Sequence, residues 1–304
     1  MSQNFFYCSE LSRRVAEKTY GTASIGNVWL LIEYPHAWES KALEESALPS
    51  SVKSHFNKVI KTIPRARVLL IKQERKRTDA FNFFLVRCRE REPFIIKFNL
   101  QDYPQLTEID IAAVIAGRSL EGGTKTDDPL FLVCTHGKRD KCCAKFGYPL
   151  FKSLRAEIGT SVWQSSHVGG DRFAANLICF PHGLFYARAV EDTGRLIADE
   201  YTRRRLVLEN YRGRACYAHP AQAAEFFIRS ETGLTDLDGL RYLDTHALSQ
   251  DIWRVRFTTP DESAIHEAQV SRTISEFQNF ITCHATAEKR VAQFVLDDYR
   301  VTVG

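Results

Sequence analysis

The sequence predicts an α/β protein made of two similar modules in tandem, followed by an extension of helices and a small sheet. Three observations predict it. Short apolar runs of strand length alternate with amphipathic stretches of helix length through the first 215 residues. The order strand, helix, strand, strand, strand, helix occurs before residue 117 and is repeated, loosely, after residue 128. Beyond residue 215 the pattern changes to a helix and then to segments in which apolar and charged residues alternate.

In the first module, residues 27–34 (NVWLLIEY) read as a strand, 49–63 as an amphipathic helix and 65–72 as a strand. Residues 80–98 read as a hairpin interrupted by the charged REREP, and 103–117 as a helix with Leu106, Ile109, Ile111 and Val114 apolar. The stretch AGRSLEGGTKTDD, residues 116–128, is the expected linker. In the second module, residues 129–133 suit a buried parallel strand that ends where Cys134 begins a polar loop. Pro149 can open a helix at its first position, with Leu150, Leu154 and Ile158 along one face. Residues 161–168 form a second buried strand, closed by Gly169-Gly170, where the backbone must turn sharply. A hairpin over 177–189 turns at Pro181-His182-Gly183, and a helix covers 191–206. In the extension, 220–230 read as a helix and 237–243 as a short one. IWRVRF comes next as a strand with Trp253, Val255 and Phe257 opposite Arg254 and Arg256, then strands over 264–273 and 276–283. The expected units are therefore 1–122, 123–215 and 216–304.

Chemistry concentrates in the second module. Parallel strands joined by a helix bring their carboxyl ends to one edge of a sheet, so the loops after the two buried strands should gather Cys134, Cys143, His167 and Asp171. Thiolates hold zinc or iron-sulfur clusters, and imidazole serves either metal. Eight residues separate Cys134 from Cys143, too many for a tight zinc knuckle but suited to a loop around something larger than one ion. His167 and Asp171 would share one side of a helical turn, with glycines between them that let backbone approach inorganic sulfide. An aspartate placed after two glycines is equally suited to cap a helix. Cys142 reads as a packed neighbour, and Cys8 and Cys88 as small buried hydrophobes. His136 and His182, each beside a glycine, read as solvated or as donors to a cluster sulfide. Lys138, Arg139 and Lys141 face water or an acidic partner, and Arg172, Asn176, Tyr186 and Arg188 are expected in structural hydrogen bonds.

The runs CTHGKRDKCC, SHVGGDRFAANL and PHGLFYAR, in that order, resemble the sucrase/ferredoxin-like family, with weaker echoes over residues 8–229. The resemblance implies thioredoxin-like modules and a [2Fe-2S] cluster held by Cys-x8-Cys and His-x3-His. Three of those ligands map onto Cys134, Cys143 and His167. The fourth position is Asp171, which leaves a carboxylate ligand, completion by His182 or Cys142, or loss of the cluster as alternatives. The function implied is one-electron transfer to an unidentified redox partner protein. A zinc-binding structural protein fits the same residue types. A thiol-disulfide oxidoreductase would need Cys-x-x-Cys, and only the vicinal pair Cys142-Cys143 is present. Sugar hydrolysis would need two carboxylates facing one cleft, and no such pair stands out.

Composition sets the frame. The chain has 304 residues, 44% hydrophobic and 26% charged, ample for a buried core. A net charge of +4 and a pI near 8.6 give no reason to expect nucleic acid. Eight cysteines without regular spacing, no apolar leader in MSQNFFYCSELSRR and no long apolar run lead to the expectation of a cytoplasmic protein away from membranes.

Overall fold

Val28–Glu33 (β1) is an unbroken apolar run, VWLLI, buried on both faces, and it sits at the centre of the first half of the sheet. The computed structural model describes residues 6–73 and 80–303. Before β1 comes a short helix, Cys8–Arg14 (α1). After it, Ser50–Thr62 (α2) lays Val52, Phe56 and Val59 on the sheet and leads to Ala66–Lys72 (β2), parallel to β1. Phe81–Arg87 (β3) runs antiparallel to β1 on its other side, and Phe94–Leu100 (β4) pairs with β3.

The second half repeats this order. Leu130–Cys134 (β6) is followed by Lys141–Ile158 (α4) and Val162–Ser165 (β7), with β7 parallel to β6. Leu177–Phe180 (β8) runs antiparallel to β6, and Leu184–Tyr186 (β9) pairs with β8. The strand orders β2-β1-β3-β4 and β7-β6-β8-β9 are thus the same, and β2 meets β7 antiparallel through Ile71 opposite Ser165. Gly123–Thr126 (β5) extends the first half beyond β4, and Tyr211–Arg214 (β10) extends the second beyond β9, after Glu191–Thr202 (α5). The result is one ten-stranded mixed sheet among the described residues.

Alternation along the strands divides the core. Leu30 and Ile32 face α2, Phe131 and Val133 face α4 and α5, and the opposite residues of both halves share one further cluster. In that shared cluster Trp29 of β1 touches Phe180 of β8 and Phe185 of β9, with ring centroids 5.4 and 5.8 Å apart. Those strands are separated in the sheet by β2, β7 and β6. The sheet therefore curls until its two halves face each other across a common core.

The extension begins with His219–Thr232 (α6), whose buried Glu225 accepts from Arg214, Arg229 and Tyr211 and ties the helix to β10. Pairing and hydrogen bonding within the set offset the cost of burying it. Arg241–Ala247 (β11), Ile252–Thr258 (β12), Ala264–Ile274 (β13) and Ala292–Val303 (β14) then form an antiparallel four-stranded sheet in chain order. Val255 and Phe257 are buried against α6, while Arg254 and Arg256 on the other face pair with Glu267 and Asp244. No helix among the described residues is long and apolar enough to cross a membrane.

Several expectations are corrected. Residues 103–117 form a 3-10 turn, Tyr103–Thr107, and a separate short helix, Ile111–Ile115 (α3), because Asp102 and Asp110 each cap a new start. The expected linker contains β5. The helix expected from Pro149 begins eight residues earlier, where the Asp140 carboxylate accepts the backbone N–H of Cys142 at 2.9 Å, and Pro149 lies inside it. Residues 237–243 run into β11 rather than forming a helix. Residues 276–283 make one isolated bridge, Asn279 with Lys289, rather than a strand, and the last strand is β14.

Candidate metal centre

β6 delivers Cys134 to the sheet edge, where its backbone N–H donates to the Asn176 carbonyl at 3.1 Å. Because α4 begins at Lys141, Cys143 is on the first turn of a helix rather than in a wrapping loop. The helix presses hard on the strand end. A Cβ on Gly147 would lie 2.0 Å from the Cys134 carbonyl oxygen, so only glycine permits this approach.

β7 ends beside β6, and the chain continues to His167. The His167 backbone N–H donates to Nδ1 of His136 at 3.2 Å, while Nε2 of His136 lies 2.8 Å from the Glu39 carbonyl oxygen. These partners fix the His136 tautomer with its proton on Nε2, and burial lowers its pKa. Gly169 and Gly170 come after it with φ of +90° and +82°, the left-handed region open to glycine. A buried arginine holds the turn: Arg212 donates to Gly169 O at 3.0 Å, to Asn176 Oδ1 at 2.7 Å and to Thr22 Oγ1 at 3.1 Å. Asn176 Nδ2 in turn donates to Gly170 O at 2.9 Å. Burial pulls the Arg212 pKa down to about 9, so the guanidinium still carries its charge at neutral pH.

The turn, not a helix, returns Asp171 to His167. Asp171 Oδ1 is 3.0 Å from His167 Nδ1 and 3.6 Å from Cys143 Sγ. It caps nothing: the 3-10 turn Asp171–Phe173 has no side-chain cap, and the carboxylate points into the site. Cys134, Cys143 and His167 offer ligand atoms that all lie within 4.8 Å of one another. Both cysteines are buried, and the His167 side chain is 23% exposed, toward a groove that also includes Arg67, Arg139 and Ser166. Despite its approach to Asp171, the buried Nδ1 of His167 makes no hydrogen bond.

The charges are balanced within the group. The neighbouring Cys143, together with His167, draws the Cys134 thiol well below its ordinary pKa against the pull of burial. The same contact with Cys134, then burial, pushes Cys143 up. Burial works against a charged His167, but Cys134 and Asp171 outweigh it and the pKa rises, while burial raises that of Asp171. A thiolate, an imidazole, a second thiol and a carboxylate around one small volume form a donor set for a thiophilic metal or an iron-sulfur cluster.

The four expected residues are thus brought together, and the alternatives for the fourth position are not. His182 lies in the β8–β9 turn at the opposite end of the strands, bonded to Tyr201 at 2.7 Å. Cys142 turns away, to the other side of the α4 start, toward Cys8 and Cys283. Arg172 pairs with Glu17, Arg188 donates to Ser12 and the Glu17 carbonyl, and Tyr186 is core, as structural roles require. Lys138 pairs with Glu39 at the surface. Sequence reasoning does not foresee the parts of Gly147, His136 and Arg212. Each acts through a partner distant in the chain, and only the Gly169-Gly170 pair announces that something must clasp the turn.

No curated protein and no solved structure matches the chain. The sucrase/ferredoxin-like family profile matches residues 19–213, which contain all four residues of the centre and most of the chain, and the protein belongs to that family.

Proposed function

We propose that the protein is an electron carrier and that Cys134, Cys143, His167 and Asp171 hold a [2Fe-2S] cluster. One observation carries the reading: the two sulfurs are buried, while the partly exposed His167 stands between them and an open groove. That gradient suits a cofactor whose thiolate side is sealed and whose imidazole side meets a partner. Such a cluster, when bound, supplies one-electron chemistry at a potential raised by histidine ligation. The chain supplies the rest. His136 and the Arg212 clasp set the direction of His167, and Gly147 lets α4 seal the sulfurs from water. Exposed Arg139 beside the groove favours an acidic redox partner. The matching strand orders support two tandem thioredoxin-like modules, residues 1–122 and 123–215, with the extension over 216–304. Eight free cysteines support a reducing compartment such as the cytoplasm.

One observation favours a second reading. Ligand atoms within 4.8 Å of one another also suit a single zinc ion. Protein purified without oxygen and assayed for iron, sulfide and zinc decides between them. Electron transfer predicts red-brown protein with about two irons and two sulfides at this centre. Colourless protein in which Cys134→Ser removes a bound zinc would replace it with the structural-metal reading.

A further inference from the structure

Three cysteines from three remote segments meet on the far side of the α4 start. Cys8 belongs to α1, Cys142 to the first turn of α4, and Cys283 to the segment between β13 and β14. Their sulfurs form a nearly equilateral triangle: Cys8 to Cys142 3.6 Å, Cys142 to Cys283 3.3 Å, Cys283 to Cys8 3.6 Å. Cys8 and Cys142 are fully buried and Cys283 is 9% exposed. Asp140, also fully buried, completes the group, with its oxygens 3.8 and 3.9 Å from Cys8 Sγ.

We propose that Cys8, Cys142, Cys283 and Asp140 form a second metal site, a structural one for a single zinc ion. Tetrahedral zinc with Zn–S bonds of about 2.3 Å keeps its sulfurs roughly 3.8 Å apart, so this triangle need open by only a few tenths of an ångström. A disulfide needs a separation of about 2.05 Å, and no pair here is bonded. The sulfurs are also too close together to be shared among several irons. Sulfur and carboxylate oxygen are both accepted zinc donors, and three thiolates so near one another repel unless a cation lies between them.

The surroundings are those of a metal knuckle. The Ser9 backbone N–H points at Cys142 Sγ at 3.4 Å, which fixes the direction of that sulfur. Asp140 Oδ1 accepts from Cys142 N and Oδ2 from Cys283 N, at 2.9 and 2.7 Å, so the carboxylate is oriented while each oxygen keeps a lone pair for an ion. The positive end of the α4 dipole adds to this. Cys8 and Cys283 both lie outside the stretch shared with the family, residues 19–213. Zinc here would staple the two flanks of the chain onto that stretch. The vicinal pair Cys142-Cys143 thus serves two sites, one on each side of a helix end. The proposal does not rest on the electron-transfer reading.

The test separates the two sites. In a Cys134→Ser protein, which lacks a thiolate of the first centre, about one zinc per chain should remain, and X-ray absorption should show three sulfurs at about 2.3 Å. Adding Cys8→Ser or Cys283→Ser should lower that zinc at least tenfold. Should those variants fail to fold, alkylation of the native chain gives the answer. Cys8, Cys142 and Cys283 should be protected with zinc bound and become reactive, with the N-terminal segment open to protease, after chelation. Zinc unchanged by both substitutions, a folded protein that takes up no added zinc, or a Cys142–Cys283 disulfide in peptide maps would each overturn the proposal.

Discussion

The two halves of the large sheet have the same strand order, yet among the described residues only the second gathers side chains that could hold a metal at this edge, and the reason lies in the connection that leaves the first strand of each. By register Glu33 is the counterpart of Cys134: the next backbone N–H, of Tyr34 or Thr135, donates to Ile71 or to Ser165 on the parallel neighbour. Glu33 is a hard carboxylate already taken up by the backbone and side-chain amides of Asn82, at 2.8 and 2.6 Å. After it, residues 34–49 wander before α2, and α2 rests on the sheet through Val52 and Phe56, a side chain's thickness away. After Cys134 only residues 135–140 intervene, and α4 lands with Gly147 on the strand itself. Topology supplies an edge; a short connection and a missing side chain turn it into a site. The long loop of the first half is used differently. Its Trp38 packs edge-on against His136, with centroids 5.8 Å apart, and its Glu39 carbonyl holds the same ring. One half carries the centre and the other aims it.

The largest expected effect tests that division directly. Cys134→Ser or Cys143→Ser should remove the metal of this centre entirely, since serine oxygen is a poor substitute for sulfur on iron. Cys88→Ala, a buried cysteine at the end of β3 in the first half, should leave the iron and sulfide content at the wild-type level. Equal loss from Cys88→Ala would show that both halves contribute ligands.

Gly147→Ala should come next. The added methyl would meet a backbone oxygen, which cannot rotate aside, so α4 must retreat toward the spacing that α2 keeps. Overpacking of this kind costs about 1–3 kcal/mol or more. Urea unfolding of the metal-free protein should show that loss, and metal occupancy should fall with it. Full stability and occupancy would mean that the close approach does not matter.

The hairpin turns offer a smaller contrast, in pH. His182 in the second half is buried against Tyr201, and burial, helped by Arg214 and Arg204, depresses its pKa to about 3; residues 88–93, the matching turn of the first half, contain no histidine. An unfolded imidazole takes its proton near pH 6.5, and the folded one does so only near its depressed value. Stability from the neutral ring is therefore complete above pH 6.5 and is lost as pH falls, by at most about 1.4 kcal/mol per unit. Between pH 7.5 and 5 the loss should approach about 2 kcal/mol, and His182→Gln should remove most of it. Urea midpoints at the two pH values measure both; an identical acid dependence in the variant would place the sensitivity elsewhere.

How much of this is legible in the sequence depends on the range of each signal. Unbroken apolar runs such as VWLLI and LFLV place their strands within a residue or two, and the repeat of strand order can be read from them. So can the convergence of Cys134, Cys143, His167 and Asp171, because parallel strands dictate it. The start of α4 is misread because Pro149 is a loud signal and Asp140 a quiet one, although a capping aspartate needs only one nearby N–H. The fusion of the halves through β2 and β7 rests on just two residue pairs, and no pattern in either strand announces it. Cys8 and Cys283 show no link in the sequence because nothing local marks a cysteine whose partners lie more than a hundred residues away.

The smallest effect concerns the carboxylate that departs from the two-histidine pattern. Each half carries an acid near its sheet edge, but Glu33 is held by the amide donors of Asn82, whereas Asp171 faces Cys143 and His167. Asp171→Asn keeps the shape and removes the charge. The Arg212 clasp acts on Gly169 and Asn176 rather than on Asp171, so the turn should persist, and Cys134, Cys143 and His167 with the weaker amide oxygen should retain part of the iron. What changes is the field at the centre. A ligand that loses its negative charge, with its partners roughly 3 to 4 Å away, should raise the reduction potential by something on the order of 100 mV. Asp171→His should raise it in the same direction while restoring the paired-histidine arrangement. Titration of the visible absorption against potential measures both shifts. An Asn variant with full iron and an unmoved potential would show that Asp171 is not a ligand, and that its task is confined to steadying His167.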